Sequence, residues 1–377
     1  MPDSVYINAL GKCLPGHPVS NSEMEDYIGR IRGRPSRLGK IALRHNQIQQ
    51  RHYAIQPDGS TNWTVARLQH TALEDALRQS EIVPRDLSFL ACGTSQNDVL
   101  LPGIGSMVHA ESRLPPLEVA SFQSVCASSM MALKYALLQI QSGEHTTAAV
   151  TAGEFASRFF RPGHYEGTVA LNADEGLPLA AEYLRWTLSD GAGAAILEAK
   201  PNSHGRSLRI DWIRLRSFAD RFDACMVAGK PLRQFSESPQ PWNLHATLDD
   251  AIRQGAFFLW QDFDLLEQML PVWVNAYVTL IREGLIRVDE IDLFLCHYST
   301  HGLRKQLVPL MKKAGCMIPE ERWFNNLYTR GNTGSASLLL MLEELLNEGR
   351  LVPGQRLLCA VPESGRAIVS FMQLTVI

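Results

Sequence analysis

Leu117-Glu118-Val119-Ala120-Ser121-Phe122, then Ser124-Val125-Cys126, then the run from Ala127 to Ser142 closed by Gly143, reads as strand, turn and buried helix. Cys126 therefore stands at the start of a helix, among the small residues Ala127, Ser128 and Ser129, which let another molecule come close. The helix dipole favours a thiolate at that point, and the free N–H groups of the first turn suit an oxyanion. A core position is the ordinary fate of a free cysteine. Cys13, Cys92, Cys225, Cys296, Cys316 and Cys359 are read that way, and Cys126 as a nucleophile.

The same order of elements recurs in the second half of the chain. Leu87 to Cys92 is a buried strand leading to Cys126; Gly143 stops the helix, and the strand Thr146 to Thr151 runs on into Ala152-Gly153-Glu154. Ile291 to Cys296 is likewise a buried strand leading to Asn332. The helix Ser335 to Asn347 then stops at Gly349, and the strand Arg356 to Val361 runs on into Pro362-Glu363-Ser364-Gly365. Cys126 to Gly143 and Asn332 to Gly349 are both steps of 17 residues. A duplicated α/β unit is expected, with sheets covered by helices on both faces. The two halves divide as 1–200, carrying the cysteine, and 201–377, with the boundary in the polar turn Lys200 to Gly205. Phe218 to Gln240, rich in polar and turn residues, reads as a loop or lid.

Composition narrows the class. With 45% apolar and 20% charged residues in 377, the chain is an ordinary globular one, long for a single core. A net charge of −3 gives no reason to expect nucleic-acid binding. The cluster Arg30, Arg32, Arg34, Arg37, Lys40 and Arg44 is local: a solvated face, or a dock for an acidic partner such as a carrier protein. Seven cysteines without a C-x-x-C spacing argue against a disulfide framework or zinc and for a reducing compartment. Met1-Pro2-Asp3-Ser4 lacks the basic start and apolar stretch of a signal peptide, and no window holds ~18 uninterrupted apolar residues, so a cytoplasmic protein without a membrane span is expected.

His297, at the end of the strand Ile291 to Cys296, and Asn332 are the two residues that complete an acyl-transfer site with Cys126. A neutral imidazole and a carboxamide each donate a hydrogen bond to a thioester carbonyl. His301, four residues after His297, lacks the H-E-x-x-H context of a zinc site and is read as structural, with no metal expected. Asn332 also suits a helix cap, a role compatible with catalysis. Asp190-Gly191-Ala192-Gly193 lacks the third glycine and the following helix of a dinucleotide loop, which leaves close packing at a strand start. Glu154, at the end of an apolar strand, is a candidate base with a raised pKa, or else a salt-bridge partner of Arg158 or Arg330.

Together these motifs resemble the thiolase-fold condensing enzymes of the 3-oxoacyl carrier-protein synthase III group. Ser124 to Ser128 is similar to the family's nucleophile motif, Phe294 to His297 to its histidine strand, and Gly331 to Ser337 to its asparagine loop. The resemblance implies a layered αβαβα thiolase-like fold, a homodimer, acyl carrier protein or coenzyme A thioesters as substrates, and no cofactor. It also implies a ketosynthase joining an acyl group on Cys126 to a second, β-ketoacyl or malonyl, thioester, with the Cys126 N–H and an N–H near Ser364 or Gly365 as oxyanion donors. Thr300 stands where the family usually has Asn, and Pro362-Glu363-Ser364-Gly365 replaces its glycine-rich turn, which puts the standard malonyl chemistry in doubt. Arg51 to Ile55, Leu184 to Trp186, Glu154 and the Pro362 to Gly365 turn look most like the branch whose ketosynthase/cyclases make dialkylresorcinol or stilbene precursors. There Glu154 is the expected base, and Arg330 orients it or binds a carboxylate. The rival readings are a fatty-acid-type synthase III, a thiolase-fold acyltransferase making esters or amides, a non-catalytic partner subunit, and a papain-like protease, whose nucleophile context is absent here.

Overall fold

The computed structural model describes residues 4–168, 171, 176–231, 233 and 239–377. Ten strands share one hydrogen-bonded sheet: β1 (Tyr6–Cys13), β2 (Phe89–Thr94), β3 (Glu118–Gln123), β4 (Thr147–Glu154), β5 (Gly191–Glu198), β6 (Leu208–Ser217), β7 (Leu293–Cys296), β8 (Trp323–Phe324), β9 (Arg356–Glu363) and β10 (Ile368–Val376). Among the helices that frame them are α1 (Gly39–Asn46), α2 (Val65–Arg78), α3 (Ser128–Ser142), α4 (Phe263–Arg282), α5 (His301–Lys313) and α6 (Ser337–Asn347).

The strand order is β8-β7-β9-β10-β6-β1-β5-β4-β2-β3. Strands β3-β2-β4-β5-β1 are thus repeated, element for element, by β8-β7-β9-β10-β6. In each set the second strand pairs in parallel with its two neighbours, and the remaining pairings are antiparallel. The sets meet through a short antiparallel junction between β1 and β6, Tyr6 with Arg209 and Ile7 with Leu208.

Side chains alternate across each strand, and the alternation sorts them into layers. Phe89 and Ala91 of β2, Val150 of β4, and Leu357, Cys359 and Val361 of β9 pack in one core with α3 and α6. The opposite face of the first set, with Leu90, Cys92 and Ala149, packs on α2. The opposite face of the second set, with Phe294, Leu358 and Phe371, packs on α4 and α5. The layers therefore run helix, strands, two central helices, strands, helix, as the αβαβα expectation requires. Complete burial of β2 and β4 on both faces explains their nearly continuous apolar sequences.

The Gly-x-Gly of residues 191–193 lies inside β5, where a Cβ on Gly193 would come within 2.5 Å of the Leu339 Cβ on α6. Close packing, not phosphate binding, is its role. Part of the expected lid, residues 232 and 234–238, lies outside the described residues. Its described portion is tied down where Met226–Val227 pairs with Trp260–Gln261. Among the described residues no helix is long and apolar enough to cross a membrane.

Candidate active site

The chemistry-bearing residues gather where parallel strands end. β3 ends three residues before Cys126, β4 ends on Glu154, β7 ends one residue before His297, and β9 ends on Glu363. Asn332 follows β8 through the short helix Leu327–Arg330. Cys126, Glu154, Asn332 and Ser364 form part of the wall of one cavity of about 1200 Å³, with Ser95 and Thr300 nearby. Much of the remaining wall is apolar, including Leu184, Trp242, Phe257 and Phe263, which suits an aliphatic acyl group.

Cys126 lies in the turn two residues before α3 begins at Ser128. The thiol is buried, and its surroundings work against the thiolate that the helix dipole favours. Burial first, then the carboxylates of Glu363 and Glu154, push the thiol well above its ordinary 9.0. The dipole of one helix is a small effect beside desolvation of a full charge.

Glu363 is the residue that sequence reading passed over. Its carboxylate accepts hydrogen bonds from the Ser124 hydroxyl (2.7 and 2.8 Å to the two oxygens), the Val125 N–H (3.1 Å) and the Ala127 N–H (2.9 Å). Helices α2, α4 and α5 open with capping side chains of their own, Thr64, Asp262 and Thr300. The central helices open at Ala127 and Ala336, which have nothing to cap with. For α3 the missing acceptor arrives from the other half of the chain.

Glu154 is placed in the equivalent way. It accepts from the Ser95 N–H (3.1 Å), the Ser95 hydroxyl and the Ser335 N–H (3.3 Å), the last lying just before α6. It forms no ion pair among the described residues: Arg158 pairs with Asp98 at 2.9 Å, and Arg330 turns to Glu344 at 3.7 Å. The expected partnership of Arg330 with Glu154 or with a substrate carboxylate is therefore corrected; Arg330 is no part of the cavity wall. Burial raises the Glu154 carboxyl above its ordinary 4.5, although hydrogen bonds from Ser335 and Ser95 work against that.

Asn332 is fixed by its backbone, which donates to the Thr187 carbonyl (3.1 Å) and accepts from the Ser189 N–H (2.8 Å). Its side-chain oxygen accepts the Gly334 N–H at 2.9 Å, so the Nδ2 amide is the group left for the cavity. His297 extends the parallel ladder past β7 by donating its backbone N–H to the Ala360 carbonyl (2.9 Å). The ring is buried and lies outside the cavity wall proper, and its Nε2 has no partner among the described residues. Burial pulls its pKa down to about 4, leaving a neutral imidazole at pH 7. His301 bonds the Tyr328 hydroxyl through Nδ1 (2.8 Å), and Thr300 caps α5 by accepting the Leu303 N–H (3.2 Å). Gly365 packs on the nucleophile turn, where an added Cβ would lie 2.8 Å from the Val125 Cγ2.

Residues 281–370 match the C-terminal model of 3-oxoacyl-[acyl-carrier-protein] synthase III. Over 357 residues the chain is 26% identical to β-ketoacyl-[acyl-carrier-protein] synthase III 3 of Streptomyces coelicolor, covering 93% of this chain and 91% of that protein. These matches make the chain similar to the thiolase-fold ketosynthase III family. A second relative, the synthase III of Porphyra purpurea, is 25% identical, with 93% of each chain covered. The fold matches the tetronic acid condensing enzyme AbyA1 with a TM-score of 0.77 and 21% identity, over 98% of this chain and 99% of that one. It also matches Xanthomonas campestris OleA, solved as a Cys-to-Ser variant with lauric acid and lauroyl-CoA, with a TM-score of 0.74 and 19% identity over the whole of both chains. As a ketosynthase III homologue the protein is an enzyme of the acyl-transferring type.

Proposed function

We propose that the enzyme condenses an acyl group held on Cys126 with a second acyl thioester, and that its donor is a β-ketoacyl thioester. The observation carrying this reading is the presence of Cys126, Asn332 and the buried carboxylate of Glu154, which has no ion-pair partner among the described residues, in the wall of one largely apolar cavity. The Cys126 sulfur attacks the first thioester carbonyl, the carbon–sulfur bond to the carrier breaks, and the thiol proton leaves with the carrier thiol. The Cys126 N–H and an N–H of the Ser364–Gly365 turn stabilise the oxyanion. The donor carbonyl then accepts hydrogen bonds from Asn332 Nδ2 and His297 Nε2. Glu154 takes the donor α-proton, the enolate carbon attacks the acyl carbonyl, and the Cys126 sulfur leaves, recovering that proton. Ring closure to a dialkylresorcinol-type precursor is a second use of the same base.

The relatives named β-ketoacyl-[acyl-carrier-protein] synthase III favour one alternative, a malonyl donor that supplies its enolate by losing carbon dioxide. Residues 1–200 and 201–377 are the two duplicated units, the first bringing the nucleophile and the second the two donors. A homodimer formed along the free edge of β3 and docking of an acidic carrier protein on α1 complete the proposal. There Lys40 and Arg44, both exposed, flank Ile41 at the cavity wall. Mass spectrometry of the products from a β-ketoacyl thioester plus an acyl thioester tests the donor. A product retaining every donor carbon is expected. Reaction with malonyl thioester alone, releasing carbon dioxide, would replace this reading with the alternative.

A further inference from the structure

We infer that Glu363 is the positioning residue of the nucleophile: its carboxylate ties the amides on either side of Cys126, leaving the amide between them to meet the acyl oxygen. This rests on the reading of Cys126 as the acyl acceptor and adds a residue to it. Val125 and Ala127 both donate to the same Glu363 oxygen, at 3.1 and 2.9 Å, while the Cys126 N–H donates to no other residue among those described. A single acceptor shared by residues i−1 and i+1 fixes the peptide planes on both sides of residue i. The direction of the Cys126 N–H follows from those planes. The Ser124 hydroxyl, bonded to both Glu363 oxygens, holds the carboxylate itself in place.

Glu363 is nearly inaccessible and is no part of the cavity wall, so it acts through the turn and not on substrate. Its place is built into the duplication. Glu363 ends β9 as Glu154 ends β4, each the last residue of an eight-residue strand, and each reaches a central helix of the opposite half. Its negative charge beside the sulfur also favours the neutral thiol at rest, with Glu154 at the end of β4 acting in the same sense. His297, beyond β7, is neutral and adds no compensating positive charge.

Three measurements on wild type, Glu363→Gln and Glu363→Asp test this: the rate of Cys126 acylation by octanoyl-CoA, the pH profile of iodoacetamide alkylation without substrate, and the unfolding midpoint. The Gln variant sets an NH2 against an amide donor and removes the charge. At least tenfold slower acylation is expected, together with an alkylation profile displaced to lower pH. The Asp variant keeps the charge but withdraws the acceptor, so slower acylation with an undisplaced profile is expected. A merely structural role would lower the unfolding midpoint and leave the alkylation profile in place. Acylation slowed less than tenfold in the Gln variant, or an unmoved profile, overturns the inference. If the Gln variant does not fold, undiminished acylation in the Asp variant overturns it. Wild type yielding no octanoyl adduct on the Cys126 peptide instead removes the nucleophile assignment, a separate failure that the substrate-free alkylation identifies.

Discussion

The turn that carries Cys126 and the turn that carries Asn332 are counterparts, and the carboxylates that hold them differ in one instructive respect. Glu363 gives both oxygens to the Cys126 turn and is sealed behind it. Glu154 divides its bonds between Ser95 and Ser335 and remains part of the cavity wall. Duplication supplied two buried acids in equivalent places. One is sealed behind its turn, and the other borders the cavity. Accessibility, more than acidity, separates them, since burial raises both carboxyls above the ordinary range.

The sharpest way to break the comparison is to remove the nucleophile. Cys126→Ala should give no acyl-enzyme in intact-protein mass spectrometry with any acyl thioester. An adduct of normal stoichiometry would move the chemistry elsewhere. The next largest effect belongs to the acid in the cavity wall. Glu154→Gln should still load acyl groups on Cys126 but lose ~10²–10⁴-fold in condensation with a β-ketoacyl donor, the range for a positioned base. In the wild type that step should quicken as pH rises through a pKa above 4.5, because only the ionised carboxylate accepts the α-proton. An unchanged rate and pH profile in the variant would leave Glu154 as scaffold like Glu363.

Asn332→Ala should follow, with acyl loading intact and condensation slowed ~10²–10³-fold, the usual loss for one oxyanion-type donor. Equal slowing of loading and condensation would mean that Asn332 merely holds its turn. His297 is the accompanying control. With its pKa lowered to about 4 by burial, its protonated form belongs to the unfolded chain between about pH 4 and 6.5. Its contribution to stability is therefore complete above pH 6.5 and lost as pH falls towards 4, by up to ~3 kcal/mol. Denaturant titrations of wild type and His297→Ala across that window should differ in slope.

Much of this was legible before any coordinates, for identifiable reasons. The layered fold follows from the echo around Cys126 and Asn332, since equal pivot-to-glycine spacing reports duplication whatever the local propensities. Glu154 was visible because a carboxylate closing an apolar strand is conspicuous. Glu363 occupies the same point of the echo but read as part of a turn, because its partners lie 236 to 239 residues away and no local pattern reports them. Arg330 misled for the opposite reason. It is close to Asn332 in sequence, yet the short helix Leu327–Arg330 directs its guanidinium to Glu344 on α6. The depressed thiol pKa expected at Cys126 failed because charge balance around a buried sulfur depends on carboxylates that the helix sequence does not contain.

The smallest effects lie in the two glycines that let the carboxylates approach. Gly334 has φ +52°, and a Cβ there would lie 2.9 Å from the Glu154 Cγ. Gly334→Ala therefore combines left-handed backbone strain with a steric push on Glu154, and a loss of ~1–3 kcal/mol is expected in urea unfolding. Gly365 has no left-handed φ. A Cβ there would meet the Val125 Cγ2 at 2.8 Å and the Glu363 Oε1 at 3.0 Å. Gly365→Ala should cost only about 1 kcal/mol, at the low end for overpacking, because the Val125 methyl can rotate away. Equal losses in the two variants would show that packing against the carboxylates, and not backbone conformation, sets the requirement for glycine at both turns.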